Sequence, residues 1–210
     1  VQDDTTAISA GGGQRKKIAF AALGVLVVAG VGVAVFLPDE EPALSIPARV
    51  CGEAVPTAHV KSLLPERGEA FEEGSVFFTA GTAGGTGKCE LSGGGRSLAI
   101  KYSRIQDPAY DQERVRSEAA KPGNTRLSLG PAEGYIGGYG ASLFVGCPYA
   151  EGRKDLLAVS VAVGGISKIT DSTMQVRVSA LTADVARGVA RDVVGCEGAA
   201  DLPDSAPEIG

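Results

Sequence analysis

Twenty consecutive residues, Ile18 to Leu37 (IAFAALGVLVVAGVGVAVFL), carry no charged or strongly polar side chain. At 1.5 Å per residue such a run covers about 30 Å as a helix, the thickness of the hydrocarbon core of a bilayer. The expectation is a transmembrane helix over 18–37. Arg15, Lys16 and Lys17 flank it on one side and Asp39, Glu40 and Glu41 on the other. Cationic flanks stay on the cytoplasmic side, so residues 1–17 read as a cytoplasmic tail and everything after the span as extracytoplasmic.

A cleaved secretory signal also begins with a basic patch and an apolar run, and its removal would release the chain as a secreted protein. Signal cores are shorter, about 7 to 15 residues, and end at a small-x-small site. The run here is longer, and Ala43-Leu44-Ser45 is the tolerable site nearby. Lipid attachment fits less well, because Cys51 follows Ala48-Arg49-Val50, well beyond the apolar run. Within the span Gly30 and Ala34 form a small-xxx-small pair of the kind that lets two helices approach. Ala and Gly are common throughout the chain, so this pair leaves the oligomeric state open.

All four cysteines, Cys51, Cys89, Cys147 and Cys196, fall after the span. An even count in an oxidising compartment reads as two disulfides. Spacings of 38, 58 and 49 residues contain no CxxC or CxxH half-site, so no metal is expected. Four cysteines allow three connectivities. Cys51 with Cys89 and Cys147 with Cys196 is the preferred set, because each bridge would tie the edge of a helix to a strand in the same half of the domain. A net charge of −5 and the lack of a basic face argue against a nucleic-acid partner.

Residues 38–48 hold three prolines and three acids in the stretch PDEEPALSIP, which suits an extended, solvated linker. An extracytoplasmic α+β domain is expected over 49–198, with a disordered tail over 199–210. Its first element is a short helix in VPTAHVKSLLP, with Thr57 as cap, Val60, Leu63 and Leu64 on one face, and Pro65 as stop. ERGEAFEEG reads as a polar turn. Strands are expected over Val76–Thr79 and Ser97–Arg104. A surface helix starts at Asp107-Pro108 and stops at Pro122-Gly123. Further strands are expected over Arg126–Leu129, Ala141–Gly146 and Leu156–Val163. A long helix over Asp171–Val194 then repeats valines and Leu181 at three- and four-residue spacings. The order predicts a largely antiparallel sheet with helices packed on one face, stapled by two disulfides.

Cys51 before a helix ending in Leu-Leu (HVKSLLP), a second cysteine opening a strand pair (CELSGGGRSLAIKYS), a third closing a strand (LFVGCP) and a fourth after a valine-rich helix (VVGCEG) form an ordered pattern. In this the chain resembles the uncharacterised extracytoplasmic domains of actinobacteria, Streptomyces-like, over about Val50 to Glu197. Those domains stand behind a lipid anchor or a single span. The resemblance implies an α/β sandwich with two disulfides and a place in the cell envelope, and it implies no activity. This chain departs from the lipoprotein members in lacking a lipobox.

Several motifs invite chemistry. TAGTAGGTGKCE, Thr79 to Glu90, looks like a phosphate loop, but Thr82 and Cys89 occupy the places of its first glycine and its magnesium-binding Ser or Thr. It reads instead as a glycine-rich connection ending at a disulfide cysteine, so no cofactor is expected. His59, the one histidine, belongs to the polar side of a short helix and has no nucleophile signature beside it. Glu66, Glu69, Glu72 and Glu73 read as solvated acids, and Asp107, Asp111 and Glu113 as a helix start without the glycine of a calcium loop. In EGYIGGYGASLFVG, Tyr135 and Tyr139 stand among glycines, either on a bent hairpin covering the sheet or on a binding surface. The functional expectation is a single-pass, membrane-anchored binding or sensor module facing an envelope protein or wall component. An envelope enzyme working on wall polymer through carboxylates is the alternative.

Overall fold

The computed structural model describes residues 41–79, 85–148 and 155–210. The chain divides into two units, Val1–Pro38 and Asp39–Gly210. The expected cytoplasmic tail and membrane span lie outside the described residues. Among the described residues no helix is long and apolar enough to cross a membrane.

The second unit is α+β, built on an eight-stranded sheet in which every neighbouring pair is antiparallel. A small hairpin of β1 (Arg49–Val50) and β2 (Val55–Pro56) leads into helix α1 (Ala58–Leu63). A first meander follows: β3 (Glu72–Val76), β4 (Thr86–Gly93) and β5 (Arg96–Ile105). Helix α2 (Gln112–Ala119) connects it to a second meander of β6 (Thr125–Leu129), β7 (Ala132–Gly137), β8 (Gly140–Gly146) and β9 (Leu156–Val163). Helix α3 (Ser172–Gly188) continues as a wider π-type stretch to Val194, and a 3-10 turn and a short strand β10 (Glu208–Ile209) close the chain. The sheet order is β10-β6-β7-β8-β9-β5-β4-β3, so the two meanders join at the β5–β9 pair, in register from Leu98↔Val163 to Ile105↔Leu156.

Period-two alternation explains the main core. Leu98, Ile100 and Tyr102 of β5, Leu157, Val159, Val161 and Val163 of β9, and Leu143 and Val145 of β8 are all buried on one face. Val178, Leu181 and Val185 of α3, with Val60 and Leu63 of α1, bury against them in the same cluster. Asp171 caps α3 by accepting from the Met174 amide at 2.8 Å, and Gly195 ends the helical run at a left-handed φ of 72°.

Helices were expected on one face only, and the structure places α2 on the other. There Val115 packs with Phe144 and Leu156 in a separate small cluster, with Tyr110 and Tyr135 at its margin. The physical reason lies in the strands: Leu143-Phe144-Val145 and Leu156-Leu157 are consecutive buried residues, and consecutive strand residues point to opposite faces. The helix starts at Gln112, later than Asp107-Pro108 suggested. Asp111 caps it by accepting from the Arg114 amide at 3.0 Å, while Asp107 caps only a local turn through the Ala109 amide at 2.9 Å.

Other boundaries also differ from expectation. The first strand of the meander is Glu72–Val76, not Val76–Thr79, and as an edge strand it leaves its glutamates in solvent. The chain turns at Phe77, whose φ of 57° directs that ring outward, 56 % exposed, and sends Phe78 into the core. Phe78 meets Tyr102 edge-on with ring centroids 5.1 Å apart, and the Tyr102 hydroxyl donates to the Phe77 carbonyl. Gly87 permits this crossing. A Cβ there would lie 2.2 Å from Tyr102 Cε1 and 2.7 Å from the Phe77 oxygen.

The linker and tail expectations differ as well. Within 38–48, Leu44 donates its amide to the Glu66 carbonyl at 2.8 Å, Ala43 bridges Arg67, and Leu44 and Ile46 pack against the core. In 199–210, Leu202 is buried and β10 pairs with β6. Arg187 Nε donates to the Pro203 carbonyl at 2.8 Å and Arg191 Nη2 to that of Leu202 at 3.0 Å. Apolar side chains within both polar stretches give them something to bury, and the arginines satisfy the tail's carbonyls.

The cysteines form two bonds, Cys51–Cys89 and Cys147–Cys196. The first holds a turn in which Cys51, Gly52 and Glu53 all take left-handed φ values of 56°, 61° and 68°. That conformation is unfavourable for the two residues that carry a Cβ. The Gly52 amide also donates to Glu73 Oε1 at 3.2 Å, tying the turn to the sheet edge.

Candidate functional site

The structure separates the two tyrosines singled out by sequence. Tyr135 lies on β7 beneath α2, half-buried, with its ring 6.2 Å from Phe144, which also receives Tyr110 at 5.7 Å. Burial raises the hydroxyl pKa of both tyrosines, and the nearby Glu118 carboxylate adds to the effect. Tyr139 instead occupies the two-residue turn between β7 and β8, 58 % exposed, after Gly138 at φ 56°. Its carbonyl accepts from the Val163 amide at 2.9 Å, so its backbone is fixed while its ring is free in solvent.

His59 is held where α1 meets α3. Its Nε2 lies 3.8 Å from Asp184 Oδ2, and Arg187 Nη1 donates to Asp184 Oδ1 at 3.0 Å. Burial lifts the Asp184 carboxyl above its ordinary value, with the charges of His59 and Arg187 pulling the other way. A shallow cleft of about 200 Å³ opens beside them, edged by Arg49, Asp184, Arg187 and Arg191. Arg187 and Arg191 spend their donors on the carbonyls of the C-terminal segment. The group therefore ties α1, α3 and the tail together.

The remaining motifs are placed plainly. Gly87 and Lys88 lie within β4, so their backbone belongs to a sheet ladder and not to a phosphate cradle. Lys88 Nζ pairs with Glu90 at 2.6 Å. Glu66, Glu69, Glu72 and Glu73 are exposed. Among the described residues, no group of three or more His, Cys, Asp or Glu side chains is arranged to hold a metal ion.

A second concavity was not anticipated from sequence. It has a volume of about 430 Å³ and opens at the N-terminal end of α2, between the end of β8 and the start of β9. Asp111, Gln112, Glu113 and Arg116 border it from the helix side, Asp155 and Leu156 from the sheet. Asp155 is only 5 % exposed, and its carbonyl accepts from the Cys147 amide at 2.9 Å, which sets it beside the second disulfide. Gln112 Nε2 donates to the Phe144 carbonyl at 3.4 Å, while its Oε1 is buried without a partner among the described residues. Arg116 is already shared between Glu133 at 2.7 Å and Glu113 at 3.3 Å. The walls thus offer acceptors and negative charge, and their cation is engaged.

A polar helix start and the acid before Leu156-Leu157 were visible in the sequence. Their meeting depends on the β8–β9 pairing, which places Gly146 opposite Leu156 and so brings two distant stretches to one rim. Comparison with protein-family models, curated proteins and solved structures gives no match to this chain.

Proposed function

We propose that this chain is a single-pass, membrane-anchored binding or sensor module whose α+β domain faces the outside of a bacterial cell and meets an envelope protein or wall component. The observation that carries the reading is the pair of disulfides, which engages all four cysteines. Bonds of this kind persist in oxidising compartments and are rare in the cytosol. The apolar stretch Ile18–Leu37 with its basic flank supplies the anchor and its orientation. The acceptor-lined cavity beside the second disulfide is where such a domain would take a ligand, since binding sites are concave and few per protein.

The test is made in intact cells. A periplasm-type reporter fused after residue 48 should be active and a cytosol-type reporter at the same point silent, with the protein resisting alkaline extraction from membranes. Alkylation before lysis should find no free thiol until a reductant is added. Reactive cysteines in untreated cells, or a cytosolic reporter active at that junction, would overturn the reading.

A further inference from the structure

We infer that the Cys147–Cys196 bond is a site of thiol–disulfide exchange, attacked by an external dithiol at the Cys196 sulfur, with Cys147 leaving as a thiolate against Arg104. The Cys51–Cys89 bond is the one that stays closed. Three observations converge on this division, and none of them depends on the membrane-anchored reading.

The first is charge. Arg104 of β5 places its Nη2 3.5 Å from Cys147 Sγ, across 43 residues of chain. A disulfide sulfur is a weak acceptor, whereas a thiolate beside a guanidinium makes a charge-assisted bond. The contact therefore strengthens as the bond opens. That stabilises the reduced form and favours Cys147 as the leaving sulfur, since the thiol of lower pKa leaves faster. The second is access. Cys196 is 7 % exposed, while Cys51, Cys89 and Cys147 are fully buried. The third is place in the fold. Cys147 sits just past the end of β8, and Cys196 just past the left-handed Gly195, where the 3-10 turn begins. Segments at the ends of elements open locally at less cost than those inside a sheet. Cys89 by contrast lies within β4, opposite Ser75 on one side and Ile100 on the other, so reaching it means parting the sheet.

In the first step a thiolate of the dithiol bonds to Cys196 Sγ, the Cys147–Cys196 bond breaks, and its electron pair leaves on Cys147. The dithiol's second thiolate then displaces Cys196 and closes the reductant's own disulfide. The chain gains two electrons and two protons, and the dithiol loses them. Opening removes the covalent tie between the end of β8 and the segment after α3.

The experiment uses the full chain, folded and oxidised, with limiting dithiothreitol as the dithiol, alkylation at successive times and peptide mapping. Cys147–Cys196 should open at least about tenfold faster than Cys51–Cys89. Reduced glutathione, a monothiol, halts the reaction at the mixed disulfide. It should be found on Cys196, with Cys147 alkylated as the free thiol. Arg104→Leu should slow the opening by about threefold or more, and Arg104→Lys should restore most of the rate. A guanidinium that merely supported the fold would act the other way, because its loss would loosen the joint and speed the opening. Cys51–Cys89 opening first, both bonds opening together, or glutathione on Cys147 would overturn the exchange site, and these readings need no variant. Arg104→Leu opening at the wild-type rate or faster would overturn the role given to Arg104. The topology test above reads a different property, so the two readings fail separately.

Discussion

Gly87 shows how one missing side chain sets a local path. With Tyr102 and the Phe77 carbonyl crowding its Cα, Gly87→Ala adds a methyl where none fits, and overpacking of this kind costs about 1–3 kcal/mol. Urea unfolding should show that loss. Asp184 gives a second prediction. Burial raises its folded pKa above the unfolded one, so its contribution to stability is fully present below the unfolded value and lost as pH rises through the folded value. Urea titrations should show the wild type losing stability relative to Asp184→Asn as pH rises above the ordinary aspartate value of about 4. Glu118 acts in the opposite sense: its hydrogen bond to Lys121 lowers its pKa, and the stability this brings is lost as pH falls. Individual residues were unevenly legible. Thr57 stands where a cap was expected, yet its hydroxyl donates instead to the carbonyls of Pro47 at 2.8 Å and Ala48 at 3.0 Å. A short helix entered from a hairpin has other nearby acceptors, and sequence does not display them.

At the scale of elements, α2 is the instructive case. Its sequence is mostly polar, and its buried residues are Val115 and Ala119, four positions apart. Val115→Ala should cost about 2 kcal/mol by thermal or urea unfolding, from two lost methyl groups and the space they leave. A helix held merely at the surface would tolerate the change. The second face was written in the strands as the doublet Leu156-Leu157 and the triplet Leu143-Phe144-Val145, which a period-two pattern for a half-buried strand does not contain. The strong elements, α3 and β9, were legible because their apolar repeats run for two turns or more of helix and eight residues of strand. β3 was not, because nothing in it is buried and its alternation carries no signal. The cavity belongs to the same limit: Gln112 and Asp155 are ordinary polar residues until strand pairing brings their elements together.

For the whole molecule, sheet order was the part that sequence withheld. Local hairpins follow from turns, but insertion of β9 beside β5 joins residues more than fifty positions apart, and no local pattern announces it. Each disulfide instead closes a loop within one half, with separations of 38 and 49 residues. Loop-closure arguments give about 4 kcal/mol for each. Replacing Cys147 and Cys196 together by alanine should therefore lower unfolding free energy by about that amount in urea, and replacing Cys51 and Cys89 should do likewise while also freeing the left-handed turn at Gly52.

The bridges also follow one another along the chain without nesting or crossing. Were the domain exported as proposed, with residue 51 crossing before residue 196, Cys51 and Cys89 would both be available before Cys147 emerged, and the first bond would form between the only two thiols then present. The second pair would then meet no competitor. On that topology the order of emergence alone would favour the observed pairing.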